Sequence, residues 1–151
     1  MSRNIFLALT TVMLSLAFPA LRAQDAPTYK LPSAEPLVTL VLPDGFKYRD
    51  VSVAVSKALV VETWENLGWE GPVTTASTKQ SRVNIKVFAL ASASDVKFYT
   101  EYATESKITP EKSRQVVIGK VRELERAIAD ALKLDFRKAK GDGTVDQATK
   151  D

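Results

Sequence analysis

Cysteine and histidine are both absent from this chain of 151 residues. Without cysteine the chain can form no disulfide and no thiolate metal site, so its stability must come from packing. Without histidine it lacks the commonest general base, and triads of the Ser-His-Asp or Cys-His type are excluded, as are His/Cys zinc sites. These two absences exclude more chemistry than any motif in the chain supports. No cofactor and no metal site are predicted.

A strong net charge is also lacking. The chain has 21 Lys+Arg and 18 Asp+Glu, which gives +3. Arg3 and Arg22 lie in the first 23 residues, which contain no acid, so the remaining chain has 19 positive against 18 negative side chains, or +1. This near balance gives no electrostatic reason to expect nucleic acid as a partner.

One long apolar run is present, from Ile5 to Phe18, just after the positively charged start of the chain. A cationic start, an apolar stretch and a small residue shortly after it are typical of a cleavable signal peptide. A membrane-spanning helix needs about 20 apolar residues, and this run is shorter, so cleavage is favoured over an uncleaved anchor. We therefore predict a signal peptide at residues 1–23, cleaved after Ala23. The mature chain is expected to be exported, periplasmic or secreted, with no transmembrane segment.

Residues 24–49 are predicted to be an extended linker, since their first part is rich in proline, alanine and serine and has no periodicity. Within the linker, residues 37–42 form a short apolar, partly β-branched run, and the turn sequence at residues 43–45 follows it. The run is either a strand at the edge of a sheet or an extended arm packed on the domain. The sequence leaves both alternatives open.

The domain itself is predicted at residues 50–134 and begins with a helix. Asp50 can accept the free amides of a first helical turn, and Gly68 suits the position just past a helix end near Leu67. A helical spacing relates Val53, Lys57, Val60, Trp64 and Leu67. The valines at 51, 53 and 55 also alternate as in a strand, but the helical pattern is longer and both of its ends are signalled. We predict a helix from Asp50 to about Leu67.

A second helix is predicted from Thr109, which offers a hydroxyl cap just before Pro110 at the first helical position. Its apolar stripe contains Val117, Val121, Leu124 and Ile128. Gly119 interrupts this helix at a cost of up to about 1 kcal/mol relative to alanine, which would suit a close approach to a sheet. After Phe136 the chain becomes rich in Lys, Gly and Asp, and we predict a disordered tail at residues 135–151.

Three strands are predicted between the helices, at residues 69–78, 83–89 and 96–102, because apolar and polar residues alternate there. Their short connections indicate an antiparallel meander. The order is therefore α-β-β-β-α. It predicts an α+β two-layer sandwich in which two helices cover one face of a three-stranded sheet.

Four short segments carry a resemblance to known proteins. They are Leu67-Gly68-Trp69, the strand at residues 83–87, Phe98-Tyr99-Thr100-Glu101-Tyr102 and the stripe at residues 117–128. With this element order, the chain resembles a group of small exported bacterial proteins and lipoproteins of unknown function over about residues 50–134. The group has no assigned activity, so the resemblance implies only export and the α-β-β-β-α fold.

The third predicted strand supplies the candidate binding residues. If its even-numbered residues face the helices, Lys97, Tyr99 and Glu101 lie on the open face of the sheet. An uncovered face that bears aromatic side chains suits a protein partner, and Trp69 is added as a fourth candidate. The alternative, which is favoured for Trp69 as well as for Trp64 and Tyr102, is that these aromatic residues belong to the core.

Two pairs of acids are candidate catalytic groups: Glu62 with Glu65 on the first helix, and Glu101 with Glu105 after the third strand. Paired carboxylates can perform acid/base chemistry, but solvated carboxylates are the default on a highly charged surface. No catalytic residue is assigned.

The leading prediction is a non-enzymatic exported binding or accessory module of the bacterial cell envelope, with an envelope protein as its partner. One alternative is a carboxylate-based hydrolase using Glu101 or Glu105. Another is a structural envelope component that self-associates by pairing of edge strands. The sequence does not determine the oligomeric state.

Overall fold

A computed structural model describes residues 29–105 and 107–134, so the predicted signal peptide and the predicted tail lie outside the described residues. Within them the fold has two helices and an antiparallel sheet of five strands in the order β1-β5-β4-β3-β2. The helices are α1 (Tyr48–Val61) and α2 (Pro110–Ala131), and the strands are β1 (Val38–Val41), β2 (Glu65–Glu70), β3 (Val73–Gln80), β4 (Val83–Ala91) and β5 (Asp95–Thr104). The α+β class is confirmed. The predicted meander corresponds to β3, β4 and β5, and each of its edges carries one further strand.

Of the two alternatives for residues 37–42, the structure has the strand. β1 pairs antiparallel with β5, and Val38 lies opposite Phe98 and Val41 opposite Asp95. Val38 and Leu40 are buried in the core, whereas Val41 is exposed. The alternation of this short apolar run therefore serves to close one edge of the sheet.

Helix α1 is shorter than predicted, because it ends at Val61 rather than near Leu67. Thr63 takes a left-handed conformation with φ +59°. Its amide donates to the Val60 carbonyl over 3.1 Å, and the Trp64 amide donates to the Leu59 carbonyl over 2.8 Å. These two bonds form a Schellman motif, in which a left-handed residue stops the helix and turns the chain back. At the other end, Asp50 lies inside the first turn and does not cap it.

The glycine that was interpreted as the helix end, Gly68, belongs to strand β2. The pairing register with β3 shifts between Asn66 and Gly68, and Gly68 has φ +129°, which suits a bulge that only glycine adopts easily. Gly71 (φ +55°) and Pro72 then connect β2 to β3. The predicted strand at residues 69–78 was therefore wrong in its boundaries: it contains parts of two strands and the turn between them.

Helix α2 begins as predicted, since the Thr109 hydroxyl oxygen accepts from the Lys112 amide over 3.3 Å and Pro110 is the first helical residue. Its predicted apolar stripe is buried throughout. The interpretation of Gly119 was wrong: it is exposed, and no atom lies within 4 Å of the position where a Cβ would stand. Among the described residues, no helix is both long and apolar enough to span a membrane.

One apolar core holds the two layers together. Residues of α1 (Val51, Val55, Leu59), of α2 (Val117, Val121, Leu124, Ile128) and of the sheet (Val38, Leu40, Ile85, Val87, Val96, Phe98) belong to the same buried cluster. Because these sheet residues all point to one side of the strands, both helices lie on that side. We call it the inner face and the opposite side the outer face.

Candidate functional site

Strand register assigns three of the four candidate binding residues to the outer face. Lys97 lies opposite Leu90, Tyr99 opposite Phe88, and Glu101 opposite Lys86. Residues directly opposite each other in an antiparallel pair point to the same side of the sheet. The alternating residues of β5, such as Phe98, are buried under the helices instead. The expectation that Lys97, Tyr99 and Glu101 share one face therefore agrees with the register.

Tyr99, however, does not present its ring to solvent. Only 5% of it is exposed, and it does not belong to the core cluster under the helices. Val73 behaves in the same way: it pairs with Leu90 on the outer face and is 4% exposed. With Phe88, these residues form what we call the apolar half of the outer face: Val73, Phe88, Leu90 and Tyr99. Our sequence-based picture of an open aromatic patch at Tyr99 was wrong.

Trp69 lies apart from the other three candidates. It pairs with Thr74, which is on the inner face, and it is 78% exposed because β2 is the edge strand. It is therefore neither part of the outer face nor part of the core. The core interpretation holds for Trp64, which is buried, but not for Tyr102, which is 45% exposed.

The other end of the outer face is polar and open. A groove of about 750 Å³ lies there. Its lining includes Glu65, Ser77, Lys79, Asn84, Lys86 and Glu101, and we call these six residues the polar half. The Lys86 ammonium lies 5.0 Å from the centre of the Phe88 ring, a cation–π contact that joins the two halves. Charges of both signs thus line an accessible groove.

Glu105 forms an ion pair with Lys79, which lines this groove. The hydrogen bond from Lys79 and its positive charge hold the pKa of the Glu105 carboxyl below its usual value. A general acid needs a raised pKa, so this environment opposes a role for Glu105 as a proton donor. Lys97, at the other end of the face, forms a longer ion pair with Asp95 at 3.6 Å.

The structure does not assemble the predicted carboxylate pairs. Glu105 pairs with Lys79 rather than sharing a site with Glu101, and the Cα atoms of the two glutamates, four residues apart on nearly extended chain, are roughly 13 Å apart. Glu62 is engaged by Lys120 at 3.4 Å, and Glu65 lies in β2 rather than on the same helix. Within the described residues, no cluster of three or more acids could hold a metal ion.

The free edge of β2 is poorly suited to pairing with another chain. It carries the bulge at Gly68 and an acidic residue at each end, Glu65 and Glu70. Bulges and charges are the usual means by which proteins protect a sheet edge. The other edge strand at which two copies could pair is β1, which is only four residues long.

Sequence reasoning missed Lys86, Phe88 and Lys79 as members of the surface. The signal was present, since Lys86 and Phe88 alternate with the buried residues of the clearest strand in the chain. Lys79 lies within β3, just beyond the end of the predicted strand at residues 69–78.

Comparison with known proteins adds no relative: no protein-family model, curated protein or solved structure matches the chain.

Proposed function

We propose that the protein is an exported, non-enzymatic binding or accessory module of the bacterial cell envelope, and that it acts through the outer face of its sheet. Export is inferred from the signal-peptide pattern at residues 1–23 and from the resemblance to small exported proteins. The partner we propose is an envelope protein.

The observation that carries this proposal is the one-sided covering of the sheet. Both helices pack on the inner face, and the polar half of the outer face remains an open groove that carries Lys86 and Glu101. Charged side chains of both signs are typical of the rim of a protein interface, and the half-buried ring of Phe88 beside Lys86 adds an apolar contact. Lys97 extends the polar rim to the far end of the face.

The distribution of charge suits a protein partner better than a nucleic acid. Lys79 and Lys86 face Glu65 and Glu101 across the same groove, so no surface of one sign is presented. Mixed charges provide orientation and specificity between two proteins, whereas phosphate backbones require a positive stripe.

The test is affinity capture from envelope extract with two double variants. Lys86→Ala/Glu101→Ala alters the polar half. Arg126→Ala/Asp130→Ala alters the exposed side of α2 and serves as the matched control. Each double variant removes one positive and one negative charge, so the net charge is unchanged. We expect one envelope protein to be captured by the wild type and the control, with at least tenfold less in the Lys86/Glu101 variant.

A photo-crosslinking residue at position 86 provides an independent measurement in intact cells, with position 126 as its control. A discrete product from position 86 alone would support the proposal. Equal capture by both double variants, together with no product specific to position 86, would overturn it.

A further inference from the structure

Two outer-face residues are buried although both helices pack on the opposite side of the sheet. Val73 and Tyr99 are as inaccessible as residues under the helices, yet neither belongs to that cluster. Phe88 and Leu90, which lie opposite them in the register, are half-buried. Another part of the chain must therefore cover the apolar half.

The segment before β1 is held at two points of the sheet. Its start, Tyr29, lies against the turn between β2 and β3, where a Cβ added to Gly71 would stand 2.9 Å from the Tyr29 ring. Its end, Leu37, donates its amide to the Phe98 carbonyl over 2.7 Å. The chain between these two points spans the sheet from the β2–β3 corner to the middle of β5.

Distance allows a direct path across the outer face. The two points are separated by roughly 17 Å across the strands and roughly 13 Å along them, or about 21 Å in all. Eight residue steps of extended chain reach roughly 27 Å. The inner face is occupied by the helices, which leaves the outer face for the crossing. The chain bends at residues 32–35, and the crossing allows this because eight steps need to average only about 2.6 Å each, less than in extended chain. Leu31 is half-buried within this segment.

We propose that residues 29–37, which we call the strap, lie across the apolar half and shield Val73 and Tyr99 from water. The apolar half is thereby a groove for a proline-containing apolar peptide, occupied in cis by the strap. This inference rests on the proposed function and deepens it: the polar half is open to the partner at all times, and the apolar half becomes available only to a peptide that displaces the strap.

Nitration of tyrosines by tetranitromethane, read residue by residue by mass spectrometry, measures the covering directly. Tyr102 is 45% exposed and lies opposite Ile85 of the inner face, so it serves as the internal reference. In the wild type we expect Tyr99 to react at least tenfold more slowly than Tyr102. In the full-length Tyr29→Ser/Leu31→Ser variant we expect Tyr99 to approach the rate of Tyr102, with the rate of Tyr102 unchanged.

The matched control is Glu35→Ala, which alters an exposed strap residue and should leave Tyr99 protected. If the double variant fails to fold, as judged by circular dichroism, Gly71→Ala takes its place. Its added Cβ would stand 2.9 Å from the movable ring of Tyr29, and the variant should raise the nitration of Tyr99 several-fold; the φ of +55° strains an alanine at this position, so its folding is checked by circular dichroism as well.

A synthetic peptide of residues 29–37 then tests the groove. Added to the double variant, it should restore protection of Tyr99 in a saturable manner, whereas a peptide of the same composition in scrambled order should not. Protection of Tyr99 that is the same in wild type and strap variants would overturn the strap. Exposure of Tyr99 that the peptide does not reverse would overturn the peptide groove. Neither result depends on crosslinking at position 86, so failure of this inference and failure of the proposed function are distinguishable.

Discussion

Replacing Thr63 by glycine should stabilise the protein, because Thr63 is the left-handed residue that ends α1. Its φ of +59° is a conformation that costs an L-residue about 1–2 kcal/mol, and a β-branched side chain suits it especially poorly. Glycine adopts the conformation freely, but it loses more backbone entropy on folding than threonine does. This loss offsets about 0.5–1 kcal/mol of the gain. The lost hydrogen bond from the Thr63 hydroxyl to the Glu62 carbonyl is exposed and contributes little. The net expectation is a gain of about 0.5–1 kcal/mol.

Thermal unfolding measures this gain. For a domain of about 100 residues, 1 kcal/mol corresponds to roughly 4–8 °C in Tm, so Thr63→Gly should raise Tm by about 2–8 °C. The control is Thr39→Gly in β1, an exposed threonine in extended backbone, where glycine should lower Tm. Lys133 ends α2 through the same motif with φ +59°, and Lys133→Gly should also raise Tm. A fall in Tm for Thr63→Gly comparable to that for Thr39→Gly would refute the assignment of this helix end.

Three further outcomes follow from the core, α2 and the groove. Gly119→Ala should raise Tm, since an added Cβ meets no atom and alanine stabilises a helix interior by about 1 kcal/mol; a lower Tm would contradict the exposed placement. Phe98→Ala should lower the free energy of unfolding in urea by about 3–5 kcal/mol, because the ring is fully buried, and a loss below about 1 kcal/mol would argue against its place in the core. Lys79→Ala should raise the pKa of Glu105, as followed by NMR titration, because Lys79 lowers it. The pair stabilises the folded protein above the unfolded pKa of Glu105, and this stabilisation is lost as the pH falls through the folded pKa. The Lys79→Ala variant should therefore lose less stability than the wild type over this pH range.

The ends of the first helix show how far the sequence could predict the fold. The helical spacing of Val53, Val60 and Trp64 identified the helix itself. The predicted stripe was wrong, because Val53 and Val60 are exposed and the buried side carries Val51, Val55 and Leu59. The end of the helix was missed because the left-handed residue is Thr63, and threonine carries no sequence signal for that conformation. Gly68 offered such a signal, but its freedom is used in a bulge. α2, whose start has both a hydroxyl cap and a proline, was predicted almost to the residue.

The candidate site was also predicted only in part from the sequence. Alternation in β5 correctly grouped Lys97, Tyr99 and Glu101, because side-chain parity is a local property of a strand. The burial of Tyr99 depends on its surroundings in the folded chain, which no local pattern reports. Trp69 was misplaced because β2 and β3 were predicted as one strand. The side of the sheet on which Trp69 lies, relative to the residues of β5, could therefore not be predicted.

The pairing of β1 with β5 has a consequence for the order of assembly. β1 is the first strand to be synthesised, but its partner, β5, is the last of the five. β4 and its neighbours can form their hairpins as soon as each is complete, whereas β1 must wait until nearly the whole sheet exists. The N-terminal edge is therefore the last part of the sheet to close, and a chain interrupted before Asp95 would keep β1 unpaired.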